Sequence, residues 1–169
     1  MKRKNEQPQP SVPAGTVNVL DLGVRNDGSA DVSEIVNAAS AESALYFPAG
    51  LYKVSKPVVL MHSVFGAGYS RSHIIDPTRT WFVSDLQAAD DTVGVFNWGG
   101  NVQVNVENLN INCTGGECGL RIGGCVQNTY TWIKSVGIYG VQGSGIYIDG
   151  GGSRPIFVNE VTIRGSLTR

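Results

Sequence analysis

Hydrophobic positions in the last third of the chain, Asn101 to Arg169, repeat about every 26 residues. Val106-Glu107-Asn108-Leu109-Asn110-Ile111, Ile133-Lys134-Ser135-Val136-Gly137-Ile138 and Val158-Asn159-Glu160-Val161-Thr162-Ile163 share one form: apolar, two polar or small residues, apolar, any, apolar. Leu109, Val136 and Val161 are 27 and 25 residues apart. A second motif interleaves with the first: Val93-Gly94-Val95, Leu120-Arg121-Ile122 and Ile146-Tyr147-Ile148, offset by 27 and 26. Two interleaved motifs with nearly one period predict a solenoid, each repeat burying its apolar side against the next.

The local period selects the kind of solenoid. Alternation such as Leu120 and Ile122, or Val161 and Ile163, puts every second side chain on one face, as a strand does. Leucine-rich repeats need several leucines per unit, and after Leu86 only Leu109, Leu120 and Leu167 occur. Helical repeats need long amphipathic stretches, and none exists beyond residue 41. The pattern therefore predicts an all-β, right-handed parallel β-helix of about three short strands per coil. The pairs Glu107-Asn108, Lys134-Ser135 and Asn159-Glu160 read as corners, where Asn and small residues tolerate left-handed backbone. Gly115-Gly116, Gly123-Gly124 and Gly150-Gly151-Gly152 mark further turns.

Earlier in the chain, residues 1–15 read as a flexible tail carrying Pro8, Pro10 and Pro13. A first strand is expected over Val17 to Leu22, then a turn at Asn26-Asp27-Gly28. Asp31-Val32-Ser33-Glu34 has the form of a capping box opening a helix over Val32 to Ala39, with Val32, Ile35, Val36 and Ala39 on one face. That helix is the expected plug for the end of the coil stack. Strands follow at Ala44 to Phe47, Leu51 to Val54 and Pro57 to Leu60. The stretch Asp76 to Asp91 reads as a loop bulging from the coil, with regular coils resuming at Thr92. Residues 16–169 form one β-helix domain, expected to be the N-terminal portion of a longer one, because Val161-Thr162-Ile163 is not followed by an amphipathic cap.

Composition narrows the partners. The 22 glycines suit a turn-dense β protein. With 13 Lys and Arg against 14 Asp and Glu there is no basic face for nucleic acid, and Lys2-Arg3-Lys4 lies in the tail. No apolar run approaches the ~20 residues needed to span a bilayer, and no apolar segment follows the basic start to make a signal peptide. Cys113, Cys118 and Cys125 have the spacing C-x4-C-x6-C, a poor match to zinc knuckles, so no metal is expected. Free thiols are the favoured state, with a Cys113–Cys118 disulfide the alternative in an exported protein. Asn112-Cys113-Thr114 is a glycosylation acceptor in a eukaryotic secretory setting alone.

Val17-Asn18-Val19-Leu20-Asp21-Leu22-Gly23 with Asn26-Asp27-Gly28 resembles the V-x-D-F-G-A-x-G-D-G opening of the pectate-lyase-like superfamily. Tyr46-Phe47-Pro48-Ala49-Gly50-Leu51-Tyr52 is similar to that family's Y-F-P-A-G-T-Y, and Gly66-Ala67-Gly68 to its G-x-G after the next strand. The rhamnogalacturonase/epimerase-like branch is the most similar. Ala30-Asp31-Val32-Ser33 departs from the family's D-D-T. Phe65 to Ser72 also resembles inulin fructotransferases, and phage tailspike depolymerases share the opening. The resemblance implies a right-handed β-helix, a polysaccharide or oligosaccharide partner, an extracellular or virion-associated setting, and a homotrimer in the tailspike case. It leaves lyase, hydrolase, transferase and epimerase open.

Gly66-Ala67-Gly68 is not a dinucleotide cradle: Arg71 takes the third glycine position and no helix follows, so no cofactor is expected. Glycoside hydrolysis needs two carboxyl groups roughly 5–10 Å apart, and coils stacked ~4.8 Å apart can bring acids on one face together. Asp149, Asp91 and Glu117 are the candidate catalytic acids, with Asp85 and Asp90 behind them. The G-H-G of galacturonase-type hydrolases is absent, Trp132-Ile133-Lys134 only superficially resembles their R-I-K, and Arg154 near Asp149 is the sole hint of a lyase base. Each acid also reads as a solvated turn residue. Tyr130, Trp132 and Tyr147 are the candidate substrate-binding residues, with Tyr139 and Trp98 on adjacent coils, because aromatic rings pack on the apolar faces of sugars. Core filling or a subunit interface is the competing reading for these rings. The expectation for residues 1–169 alone is no turnover of pectin, inulin or capsule.

Overall fold

The structure is a computed structural model that describes residues 12–88, 90–99, 103–123, 130–149 and 156–165. In chain order the elements are β1 (Val17–Asn18), β2 (Asp27–Asp31), α1 (Ser33–Glu42), β3 (Leu45–Phe47), β4 (Gly50–Val54) and β5 (Val58–Leu60). β6 (Val64–Gly66), β7 (Thr80–Ser84), β8 (Gly94–Trp98) and β9 (Val106–Asn112) come next. β10 (Cys118–Ile122), β11 (Thr131–Val141), β12 (Ile146–Ile148) and β13 (Ile156–Gly165) complete them. All pairings are parallel, and the chain winds through about five turns of a parallel β-solenoid.

Three walls enclose the core. The first runs β1-β3-β6 onto the N-terminal half of β9, and the second β2-β4-β7 onto its C-terminal half. β11 and β13 continue both walls as single bent strands, while β5, β8, β10 and β12 form the third wall. The bend falls where the polar pairs predicted corners: Asn108, Ser135 and Glu160 have φ of 59°, 53° and 53°. Left-handed backbone at a non-glycine residue is uncommon, and its repetition in three coils aligns the bends. Ser135 Oγ donates to Glu160 Oε2 at 2.8 Å, joining two corners.

Coil-to-coil register follows the period. Leu109 pairs with Val136 and Val136 with Val161; Ile111, Ile138 and Ile163 form the next row. Leu109, Val136, Ile111 and Ile138 are fully buried. On the third wall the register differs from expectation. Leu120 pairs with Phe96, and Gly94 with Cys118, so Val93 is not the partner of Leu120. The spacing there is 24 residues, because the turn before β10 is shorter. Deeper in the stack, Phe47, Tyr52, Phe82 and Phe96 interlock, with Phe82 centroids 4.8 Å from Phe47 and 4.7 Å from Phe96.

Four local expectations change. β1 ends at Asn18, and Val19–Leu22 makes a 3-10 turn closed by Gly23 (φ 81°), so only Val19 of that run is buried. Asp27 and Gly28 open a strand rather than sit in a turn. Thr80–Ser84, within the expected loop, is a strand paired with β4 and β9. Its outward residue Trp81 is buried, hiding the usual alternation. The segment that leaves the coil is residues 67–79, a strap lying over the second wall. Asn110 pins it, accepting from Ser70 N at 2.8 Å and donating to Thr80 O at 2.9 Å, and the Tyr139 hydroxyl donates to Ser70 O.

α1 covers the first edge of the third wall, as a plug should, but by different contacts. Asp31 does not pair with Glu34; its Oδ1 accepts from Ser33 N at 3.0 Å and Ser55 N at 3.2 Å. Ile35 is exposed, while Val36, Ser33 and Ser40 are buried. Ser33 Oγ accepts from Ser55 N and Lys56 N, Asn37 Oδ1 from Val59 N at 2.7 Å, and Ser40 Oγ from Met61 N. One helix face thus supplies acceptors along the edge that a strand would otherwise supply.

Candidate functional site

The first wall carries an exposed row of aromatic rings. Strand alternation in β11 turns Ile133 inward and Trp132 outward. Phe157 is the register partner of Trp132, and their rings stack with centroids 4.4 Å apart and planes at 17°. Tyr130 stacks on Phe157 at 6.2 Å and 25°. Relative exposures of 52%, 41% and 38% for Tyr130, Trp132 and Phe157 leave ring surface open to solvent. Asn105 Oδ1 accepts from Trp132 N at 3.2 Å, fixing the strand that holds the row.

The third wall offers polar groups instead. Asn97, Arg121 and Tyr147 stand in one outward row, with Asp149 bound to Arg121 Nη2 at 2.9 Å. Asp90 lies close enough for Arg121 to help depress its carboxyl, although the larger cause is the hydroxyl of Thr92 donating to it. Asp91 Oδ2 accepts from Ser144 N at 2.9 Å, bracing the turn between β11 and β12.

The family model described as rhamnogalacturonase A/epimerase, pectate lyase-like, matches residues 16–168. The chain belongs to that family. No curated protein matches it. Among solved structures, ORF18 of Geobacillus virus E2 is similar, with a TM-score of 0.51, 17% identity, and coverage of 86% of this chain. At that identity the likeness shows the fold alone, and the chain spans 41% of the ORF18 chain.

In this pectate lyase-like protein the candidate acids are dispersed among separate local partners. Asp149 serves Arg121, Asp91 serves Ser144, and Asp85 forms an ion pair with Lys53 at 2.7 Å on the second wall. Glu117 is not a solvated turn residue: it is fully buried, Oε1 accepts from Thr114 N at 2.9 Å, and Oε2 has no hydrogen-bond partner among the described residues. Cys113 and Cys118 are both free thiols. Burial first, then the negative charge of Glu117, raises Cys113, and burial pushes Cys118 up to about 11, so neither is an activated nucleophile. Among the described residues no three His, Cys, Asp or Glu side chains gather as metal ligands. Arg154 and Cys125 fall outside the described residues.

The aromatic candidates divide by environment. Tyr130 and Trp132 meet on one wall, whereas Tyr147 stands on another beside Arg121. Trp98 and Tyr139 are buried: Trp98 Nε1 donates to Thr131 Oγ1 at 3.4 Å, and Tyr139 packs on Trp81 beneath the strap. Phe157 and Arg121 were missed as site residues. The 25-residue offset already places Phe157 one coil beyond Trp132, so the repeat held that signal. Arg121 had none, because its partner depends on which wall Asp149 joins.

Proposed function

We propose that this chain is the N-terminal part of a carbohydrate-active β-helix protein that cleaves or rearranges a polysaccharide. Its own share of the work is to hold the glycan on the Tyr130–Phe157–Trp132 row, not to break it. The observation that carries this reading is the exposed stack of Trp132 on Phe157. Large apolar rings left open to water on a strand wall fit the CH faces of sugar rings. Family membership supports a carbohydrate partner. The separate engagement of Asp149, Asp91 and Glu117 supports placing the acid/base pair elsewhere, since general acid–base cleavage needs two cooperating carboxyl groups.

Affinity electrophoresis of the chain through gels containing pectin or inulin tests the binding role. Retardation by either polysaccharide that Trp132→Ala abolishes is expected, with no release of reducing sugar or unsaturated product. Turnover by residues 1–169, or equal retardation of Trp132→Ala, would overturn the reading. The fold likeness to a virus protein favours a second reading, a non-catalytic adhesin or tailspike segment assembled as a homotrimer. A sedimentation mass three times that of the chain, with no glycan retardation, would select it.

A further inference from the structure

A groove of about 520 Å³ runs along the outside of the second wall, away from the aromatic row. Its floor is aliphatic, from Leu51 of β4 and Val83 of β7, and Ile75 of the strap forms one side. Around it stand Asp27, Lys53, Asp85 and Thr114. Strand alternation explains the floor: Tyr52, Val54 and Phe82 point into the core, so Leu51, Lys53 and Val83 point out. The strap supplies the depth that a flat strand wall lacks.

The rim is held in place before any ligand arrives. Lys53 Nζ binds Asp85 at 2.7 Å, Arg25 binds Asp27 at 2.6 Å, and Thr114 Oγ1 donates to Ser84 O at 2.6 Å. Each carboxylate is matched by a cation, so the groove carries no surplus charge for an anionic ligand. Carboxylate acceptors and an ammonium donor above an aliphatic floor match a ring with one CH face and hydroxyls at its edge. We propose that this groove binds a neutral sugar unit of a glycan chain, as a second contact point distinct from the aromatic row.

Cleavage there is disfavoured by spacing. Asp27 is in register with Leu51 and Leu51 with Trp81, so Asp85 lies two strands across and four residues along. At ~4.8 Å per strand and ~3.3 Å per residue the two backbones are ~16 Å apart. Glycosidase carboxyl pairs sit within about 10 Å. The groove is a holding site.

The proposal takes its ligand class from the polysaccharide reading but stands on different residues, so the two can fail separately. The test is methyl and amide NMR of the chain titrated with neutral malto-, cello-, inulo- and mannotetraose, and with anionic tetragalacturonate. At least one neutral probe should shift Leu51, Val83 and Thr114 signals. Val83→Arg, which fills the floor from outside the core, should weaken that affinity by about tenfold or more, the equivalent of ~1.4 kcal/mol. Lys53→Gln, a surface change, should weaken it too, while Trp132→Ala leaves the groove shifts intact. No groove shifts with any neutral probe, shifts that survive Val83→Arg, or tighter binding of tetragalacturonate would each overturn the proposal.

Discussion

Asn37 holds the backbone of Val59 as a neighbouring strand would. Its Oδ1 accepts from Val59 N at 2.7 Å and its Nδ2 donates to Pro57 O at 3.1 Å. Asn37→Ala leaves a strand N–H and a carbonyl without protein partners at the covered edge. Unmet polar groups of this kind cost about 1–3 kcal/mol each when buried. Urea denaturation should show a loss of that order, whereas Glu34→Ala, which removes an exposed ion pair with Lys56, should cost less than about 1 kcal/mol.

Asp31 makes the fold sensitive to acid in a defined window. Burial acts to raise its pKa, but hydrogen bonds from Ser33 and Ser55 outweigh it and hold the group at about 2, below the ordinary 3.8. A depressed carboxyl contributes fully above its unfolded value and loses that contribution as pH falls through its folded value. The loss therefore runs from about pH 4 down to about pH 2. Solvent exposure limits it to roughly 1 kcal/mol. Asp31→Asn should flatten this part of a stability–pH curve measured by thermal melting; an unchanged slope would rule the group out.

Equivalent rows should respond unequally along the stack. Leu109→Ala empties a fully enclosed position and should cost about 2–5 kcal/mol. Ile163 occupies the row of Ile111 and Ile138 but is 47% exposed, so Ile163→Ala should cost under about 1 kcal/mol. Matched chemical denaturation of the two variants checks the ratio.

The strap depends on Asn110. Asn110→Ala removes the acceptor for Ser70 N and the donor to Thr80 O, leaving Tyr139 to hold Ser70 O. The expected result is faster proteolysis within residues 67–79 and weaker protection of the Ser70 amide from hydrogen exchange, with the coil rows unchanged. Cleavage elsewhere first would refute the role.

Much of this was readable in the chain. The inner rows were legible because Leu109, Val136 and Val161 recur at a spacing that only stacked coils satisfy, and the corners because a left-handed bend needs polar or small residues there. β7 was not legible, since the strap buries Trp81 on the outside and erases the polar half of the alternation. The face of α1 was misread for a related reason: Ser33, Asn37 and Ser40 are polar yet turned toward a strand edge, so an apolar stripe was the wrong signal to seek. The site was least legible. A repeat says which residues line up, but not which wall a loop acid such as Asp149 or Asp91 will join.

The two extremities of the stack are chemically unlike. At one, α1 satisfies the edge of β5; at the other, β13 pairs with β11 alone among the described residues and leaves Val158 and Ile163 uncovered. The rod therefore has a polarity. Assembly that adds coils can proceed from the β13 side and is blocked at the helix, so successive turns can be laid down in the order in which the ribosome delivers them.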